Sequence, residues 1–323
     1  MKKLLVFCLF SLSAWGQSDT LHYSFGAYAE TYYGRSFTNP QADEKSALFY
    51  NHTTLNQPAV NLGLITFSAS NSKWTFQGDF MLGTYSQKNL ASEPGMLKHI
   101  YQFNASLQIA PKHQLMLGIM PSHIGLESAK NWENPSFTRS YIAENSPYYE
   151  SGLAWVYSPS QRVNLKLFAL TGWQTMHKFR PALGTQLTIE NAKGIRFNSS
   201  GFIGDEGKGL RVFYDNYVQI PLSNSVSWTL CEDVGFESGN FWHGGSTFLT
   251  WQIRPALKLT GRLEYYTDPK AIILAESFSD LSQSLSADYQ LTSWGMLRTE
   301  WKHSEKWGNE VLLGVLLNLN LGQ

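Results

Sequence analysis

From Tyr101 to Ile109 the chain reads YQFNASLQI, so that Tyr101, Phe103, Ala105, Leu107 and Ile109 alternate with Gln102, Asn104, Ser106 and Gln108. Successive side chains of a strand point to opposite faces, which makes this segment apolar on one side and amide-lined on the other. One such strand suits a soluble sandwich. Many of them behind an export signal point to an antiparallel barrel with lipid outside and water inside.

Residues 1–16 carry that signal: Lys2 and Lys3 precede an apolar run from Leu4 to Leu12 and a small-x-small ending at Ala14, Trp15 and Gly16. Cleavage there leaves 17–323 as one barrel. Cys8 falls inside the apolar run, which argues against a lipoprotein cysteine. Cys231 is then the sole thiol and reads as a small strand residue, without a disulfide or a thiol metal site. Charged residues make up 15% of the chain, against roughly 25% in soluble domains. Mean hydropathy is nevertheless −0.25, and no segment beyond the signal offers the ~18 apolar residues of a spanning helix. The mature charge of 25 − 2 = 23 basic against 25 acidic residues implies no nucleic-acid partner.

Strand patterns fall at 21–34, 58–70, 73–85, 99–109, 113–120, 148–158, 162–172 and 182–190. They continue at 193–204, 209–221, 225–237, 242–253, 257–267, 281–290, 293–302 and 308–320. The expected fold is thus all-β, a transmembrane antiparallel up-and-down barrel of about 16 strands, within a range of 14 to 18. Very short connections, such as Asn71-Ser72 and Pro159 to Gln161, alternate with generally longer ones. With both termini inside, the long set (35–57, 86–98, 121–147 and 268–280) falls on the outer side.

Aromatic residues cluster near strand ends and suggest two membrane girdles. The outer one would hold Tyr32, Tyr33, Tyr85, Tyr101, Tyr148, Tyr149, Trp173, Trp242, Tyr265, Tyr266 and Trp301. Phe25, Phe67, Trp74, Trp155, Tyr157, Trp228, Trp251, Tyr289 and Trp294 would form the inner one. Glu232 fits poorly, because alternation places it on the oily face of 226–236. A bulge or a position near the rim would lower its cost.

The run GTYSQKNLASEPGMLKHIYQFNASLQI, then PSHIGLESA, TRSYIAENSPYYESG and LFALTGWQ, in that order, resembles the OmpL-like β-barrel porin family. The likeness is densest over 82–172 and continues through GFIGDEG, VFYDNY and LEYYTD. It implies an outer-membrane barrel with channel activity, in contact with outer-membrane lipid, and supplies no ligand residues. One departure is the ending Leu319, Asn320, Leu321, Gly322, Gln323, where such barrels commonly finish on an aromatic residue.

The expected function is passive passage of small hydrophilic solutes, with no cofactor and no metal. Loop 121–147, the longest connection, is expected to fold inward and narrow the lumen, with His123, Glu127, Lys130, Glu133, Arg139 and Glu144 as constriction residues. Lumen-lining positions read from strand parity are Glu30, Asp79, Gln102, Asn104, Lys166, Arg211, Asp215, Lys258, Arg262 and Glu264. Two other classes stay open: a docking subunit of an envelope assembly, and a lipid hydrolase using Ser122 and His123, which alternation would point apart. Association as a homo-oligomer rests on analogy with other wide barrels.

Overall fold

The computed structural model describes residues 20–46 and 48–322; the export signal read over 1–16 lies outside them. The first eight strands are β1 (His22–Ser36), β2 (Pro58–Ser70), β3 (Trp74–Leu82), β4 (Ile100–Ala110), β5 (His113–Pro121), β6 (Tyr149–Ser160), β7 (Val163–Leu170) and β8 (Ala182–Glu190). The others are β9 (Arg196–Asp205), β10 (Leu210–Pro221), β11 (Val226–Glu237), β12 (Asn240–Arg254), β13 (Leu257–Asp268), β14 (Phe278–Thr292), β15 (Gly295–Ser304) and β16 (Gly308–Gly322). Each pairs antiparallel with its sequence neighbours. β1 also pairs with β16, from Ser24 opposite Gly322 to Ser36 opposite Glu310, which closes the barrel. Closure satisfies every strand edge, the condition for a sheet in lipid.

The sixteen segments read from alternation match these strands to within three residues at every end, and one of the largest differences is instructive. β3 ends at Leu82 instead of running to 85. Gly83 has φ 119°, a Cβ there would collide with the backbone of Asn61, and the short helix α1 (Thr84–Asn89) follows at once.

Alternation sorts the faces. In β14, Leu281, Gln283 and Leu285 face outward while Ser282, Ser284, Ser286 and Asp288 are buried inside. Outward residues elsewhere include Ile65, Leu117, Leu167 and Leu313, an apolar surface facing lipid. Glu232 sits among them, exposed. The β10–β11–β12 register is unbroken around it and it is central in β11, so neither a bulge nor a rim position explains it.

The outer aromatic girdle is largely overturned. Tyr32, Tyr85, Tyr148, Tyr149, Trp242 and Tyr266 are buried inside the barrel, and Trp173 packs against an interior cluster; Tyr33, Tyr265 and Trp301 remain outward. Nearness to a strand end was the wrong criterion where adjacent aromatics have opposite parity, as in Tyr32-Tyr33 and Tyr265-Tyr266. Tyr101 is a separate case. A bulge between Asp79 and Phe80 leaves it without a cross-strand partner, and it turns inward until its hydroxyl meets Ser128 Oγ at 3.3 Å. At the inner end, Phe25, Trp74, Trp228, Trp251, Tyr289 and Trp294 do face outward.

The long-loop end of the barrel is filled by an apolar core. Phe168, Phe202, Phe213 and Phe248 from the wall meet Leu48, Phe49, Ile124, Tyr141 and Ile142 from the loops. Towards the short turns the interior opens into cavities.

Face assignment makes a direct prediction on β7. Leu167→Arg, which puts charge against lipid, should destabilise the barrel by about 2–4 kcal/mol. Asn164→Glu, which faces an interior cavity lined by Lys166, Arg162 and Arg196, should cost far less. Urea titration of the refolded protein in bilayers reads the difference; equal costs would overturn the face assignment.

Candidate functional site

The connection from β5 to β6 leaves the wall and crosses the barrel. In a closed ring of sixteen strands, β13 is eight places from β5 and β14 is eight from β6, so these are opposite walls. The connection touches both. Its first contacts are with its own side: His123 Nδ1 lies 2.8 Å from Glu150 Oε2 on β6, and His123 Nε2 lies 3.0 Å from the carbonyl of Gly201 on β9. The ring stacks on Phe168 and passes so close to Gly184 that a Cβ there would overlap it.

On the far wall Arg298 of β15 is the principal anchor. Its Nη1 donates to the carbonyl of Asn131 at 2.6 Å and its Nη2 to that of Asn134 at 2.6 Å. Asp288 of β14 grips the same guanidinium through both oxygens, at 2.7 and 2.6 Å. Such bidentate pairing fixes orientation as well as charge. Next along β15, Glu300 accepts from the backbone N–H and hydroxyl of Thr138, while Arg262 of β13 donates to the Thr138 carbonyl. Glu264 accepts the Tyr141 N–H at 2.7 Å, at the start of the helical turn α2 (Tyr141–Glu144), and the Tyr141 hydroxyl donates to Asp280 at 2.6 Å. Phe137 is fully buried with Tyr32, Met296, Leu312 and Leu316, and it fills the space that a side chain at Gly314 would need.

The six residues read as a constriction have diverse places. His123, Glu127, Arg139 and Glu144 are buried. Glu127 accepts from the backbone N–H and hydroxyl of Ser140. Burial pushes its carboxyl above the usual range, although Arg262 and Arg139 pull it back. The Arg139 guanidinium lies 3.9 Å from the Tyr148 ring centroid and donates to the Ala143 carbonyl at 2.8 Å. Glu144 accepts from the Tyr50 N–H at 2.8 Å and the Tyr148 hydroxyl at 3.0 Å, tying this connection to the one after β1. Lys130 is half-buried over the Tyr28 ring, and burial lowers its pKa against the pull of Glu133 and Asp79. Glu133 is exposed.

The strand positions read as lumen-lining lie on the inner face, and several are already engaged. Glu30 is fully buried and takes His52, the Tyr28 hydroxyl and Asn61. Asp79 accepts from the amides of Gln77 and Gln102, and Asn104 donates to the Ile119 carbonyl. Arg211 pairs with Glu237 at 2.7 Å and Lys258 with Asp288 at 2.7 Å. Arg262 and Glu264 hold the crossing loop, and Asp215 faces Asp233 across the β10–β11 ladder. Lys166 faces a cavity.

The anchors Arg298, Glu300, Asp288, Asp280 and Glu150 are absent from the sequence reading. A signal existed, since Arg298, Glu300 and Lys302 occupy alternate positions of one strand and therefore share a face.

A closed sixteen-stranded antiparallel barrel, oily outside and charged inside, with a long connection folded into it, defines an outer-membrane pore protein. The chain belongs to the family described as "Putative beta-barrel porin-2, OmpL-like", whose model matches residues 22–312. It is an outer-membrane porin. Similar solved structures include OmpT of Vibrio cholerae, at 9% identity over 94% of this chain and 99% of that one, with a TM-score of 0.62. Salmonella typhi OmpF, in complex with daunomycin, gives 9% identity, coverage of 93% and 98%, and a TM-score of 0.62. Pseudomonas putida OprB gives 8%, 93% and 94%, and 0.58. At these identities the likeness concerns the fold. A search of curated protein sequences returns no match.

His123 supplies a pH test of the near-wall attachment. Burial disfavours its charge, but the Glu150 carboxylate and the Gly201 carbonyl outweigh burial and raise its pKa above the ordinary imidazole value. A raised folded pKa contributes stability that is fully present below the unfolded value of about 6.5 and is lost as pH rises through the folded value. Thermal unfolding in detergent should therefore show the parent losing stability upward from about pH 6.5, relative to His123→Gln. Parallel pH profiles would remove His123 from the attachment.

Proposed function

We propose that the porin is a passive channel for small hydrophilic solutes and that the β5–β6 connection sets its aperture. The observation that carries this reading is the set of hydrogen bonds from Arg298, Glu300, Arg262 and Glu264 to backbone groups of residues 131–141, on the wall opposite the loop's origin. A loop fixed at both ends across the lumen leaves solutes only the space beside it. The charges first read as constriction residues serve in this view mainly to fold the loop, and Lys130 and Glu133 are the two with solvent access.

Catalysis has no support from the same contacts. A hydrolase would need His123 as a free base beside Ser122, yet both ring nitrogens are engaged and the Ser122 hydroxyl donates to Glu150 at 3.3 Å.

Releasing the far anchor tests the aperture. Arg298→Met with Glu300→Gln should raise single-channel conductance in planar bilayers and add slow current fluctuations, while the heat-modifiable gel mobility of a closed barrel persists. Unchanged conductance in a folded variant would place the conduction path away from this loop.

A second reading concerns self-association. Ser199, Asn216 and Glu232 are aligned across β9, β10 and β11 on the outward face, where a carboxylate against lipid is unfavourable. A second copy covering this strip would give these groups polar partners; one of the similar structures, OmpT of Vibrio cholerae, is described in a trimer form. Asn216→Cys should form an intermolecular disulfide in oxidant-treated cells, and Ile65→Cys, on the outward face of β2, should not. Equal cross-linking at both positions would mean random collision.

A further inference from the structure

Between the crossing loop and the short turns, the wall formed by β6 to β10 borders a cavity of about 510 Å³. It is lined by Lys166, Arg162 and Arg196, with Asn164, Thr188 and Glu190 among the other residues. Its upper end is tied to the root of the loop, because the Gln186 amide donates to the His123 carbonyl at 2.6 Å.

The charges here behave unlike those elsewhere in the barrel. Arg211, Lys258, Arg262, Arg298 and Lys302 each have a carboxylate partner at 2.6 to 3.2 Å. Among the described residues, Lys166, Arg162 and Arg196 have no ion pair. Lys166 and Arg196 lie within electrostatic reach of each other, and so does Glu150, but that carboxylate already holds His123 and Ser122. Glu190 is the single carboxylate in the lining, so the cavity holds three cations against one anion. A half-buried ammonium beside a guanidinium is unfavourable without a counter-charge. Arg211, Lys258, Arg262, Arg298 and Lys302 are each given one in contact, whereas here Glu190, opposite Arg196 on the β8–β9 ladder, makes no ion pair among the described residues and a space is left.

We propose that this cavity is a binding station for small oxyanions, organic carboxylates or phosphate, on their way through the pore. Lys166 holds the anion beneath the loop, and Arg196 and Arg162 draw it in from the short-turn mouth. The Ser158 hydroxyl, which accepts from the Asn164 amide, and the second N–H of that amide offer further donors. A low-field lysine with a flexible stem suits a transit site better than a fixed arginine fork, because release must follow capture. The proposal rests on the channel reading and names the class of solute it favours.

Citrate and inorganic phosphate are the probes. In planar bilayers, citrate added on the side of the short turns should produce brief concentration-dependent blockades of the parent channel. In Lys166→Gln with Arg196→Gln the half-blocking concentration should rise by about tenfold or more, as expected when charge-assisted hydrogen bonds are lost. Glu190→Gln should lower it. Phosphate should follow the same order more weakly. Calorimetric titration of the detergent-solubilised protein with citrate gives a readout that needs no current. Heat flow from the parent and none from the double variant supports the station; equal binding, or none to the parent, overturns it. Absence of current steps together with citrate binding that the double variant abolishes would sink the channel reading while leaving the anion site standing.

Discussion

Irregular backbone held inside a barrel must find a partner for each amide and carbonyl that bulk water no longer reaches. The crossing loop of this porin meets some of these needs from within, as Asn134 does for Ser128 and Glu127 for Ser140, and the wall meets others. Arg298 takes the carbonyls of Asn131 and Asn134, Arg262 takes that of Thr138, and Glu300 and Glu264 receive the N–H groups of Thr138 and Tyr141. The charged groups are themselves matched, Arg298 by Asp288 and Arg262 by Glu300. A half-satisfied network of this kind would be worse than an apolar one, because each orphaned charge is costly in a confined site. The far wall and the loop are in this sense one unit, and the apolar contacts of Phe137 with Leu312 and Leu316 complete it.

The barrel was highly legible because a two-residue period is a strong signal and because lipid outside and polar groups inside amplify it in every strand. Features that break the period were hidden. Tyr101 belongs by alternation to the oily face, and only the bulge opposite Asp79 and Phe80 turns it inward. The buried aromatics at the long-loop end were mistaken for an interfacial girdle because a water-filled lumen gives no reason to expect apolar side chains inside. Leu312 and Leu316 carried that information. They lie on the inner face of β16, between outward Val311, Leu313, Val315 and Leu317, and inward leucines require something apolar to cover them.

The loop itself could be identified by length but its internal arrangement could not. Glu127, Arg139 and Glu144 look like aperture charges in a linear sequence, and each proves to hold another part of the loop or its neighbour. Partner choice of this kind depends on residues up to a hundred positions away, such as Tyr50 for Glu144, and no local pattern encodes it. The charged wall positions were easier, since parity alone places Lys166, Arg262 and Glu264 inside. Parity cannot say which of them are matched by an opposite charge and which are left facing open space.

The crossing loop also orders events in time. Residues 122–148 are followed by the greater part of the wall, and their anchors on β13, β14 and β15 are among the last segments of the chain. A sheet growing from β1 would reach β6 with this connection complete but without anything to hold its far end. Once β16 has zipped onto β1, the ring offers no side entrance through which a loop could be drawn in. The far end of the loop can therefore seat only when the late strands arrive with its docking site, or afterwards through the long-loop end of the barrel.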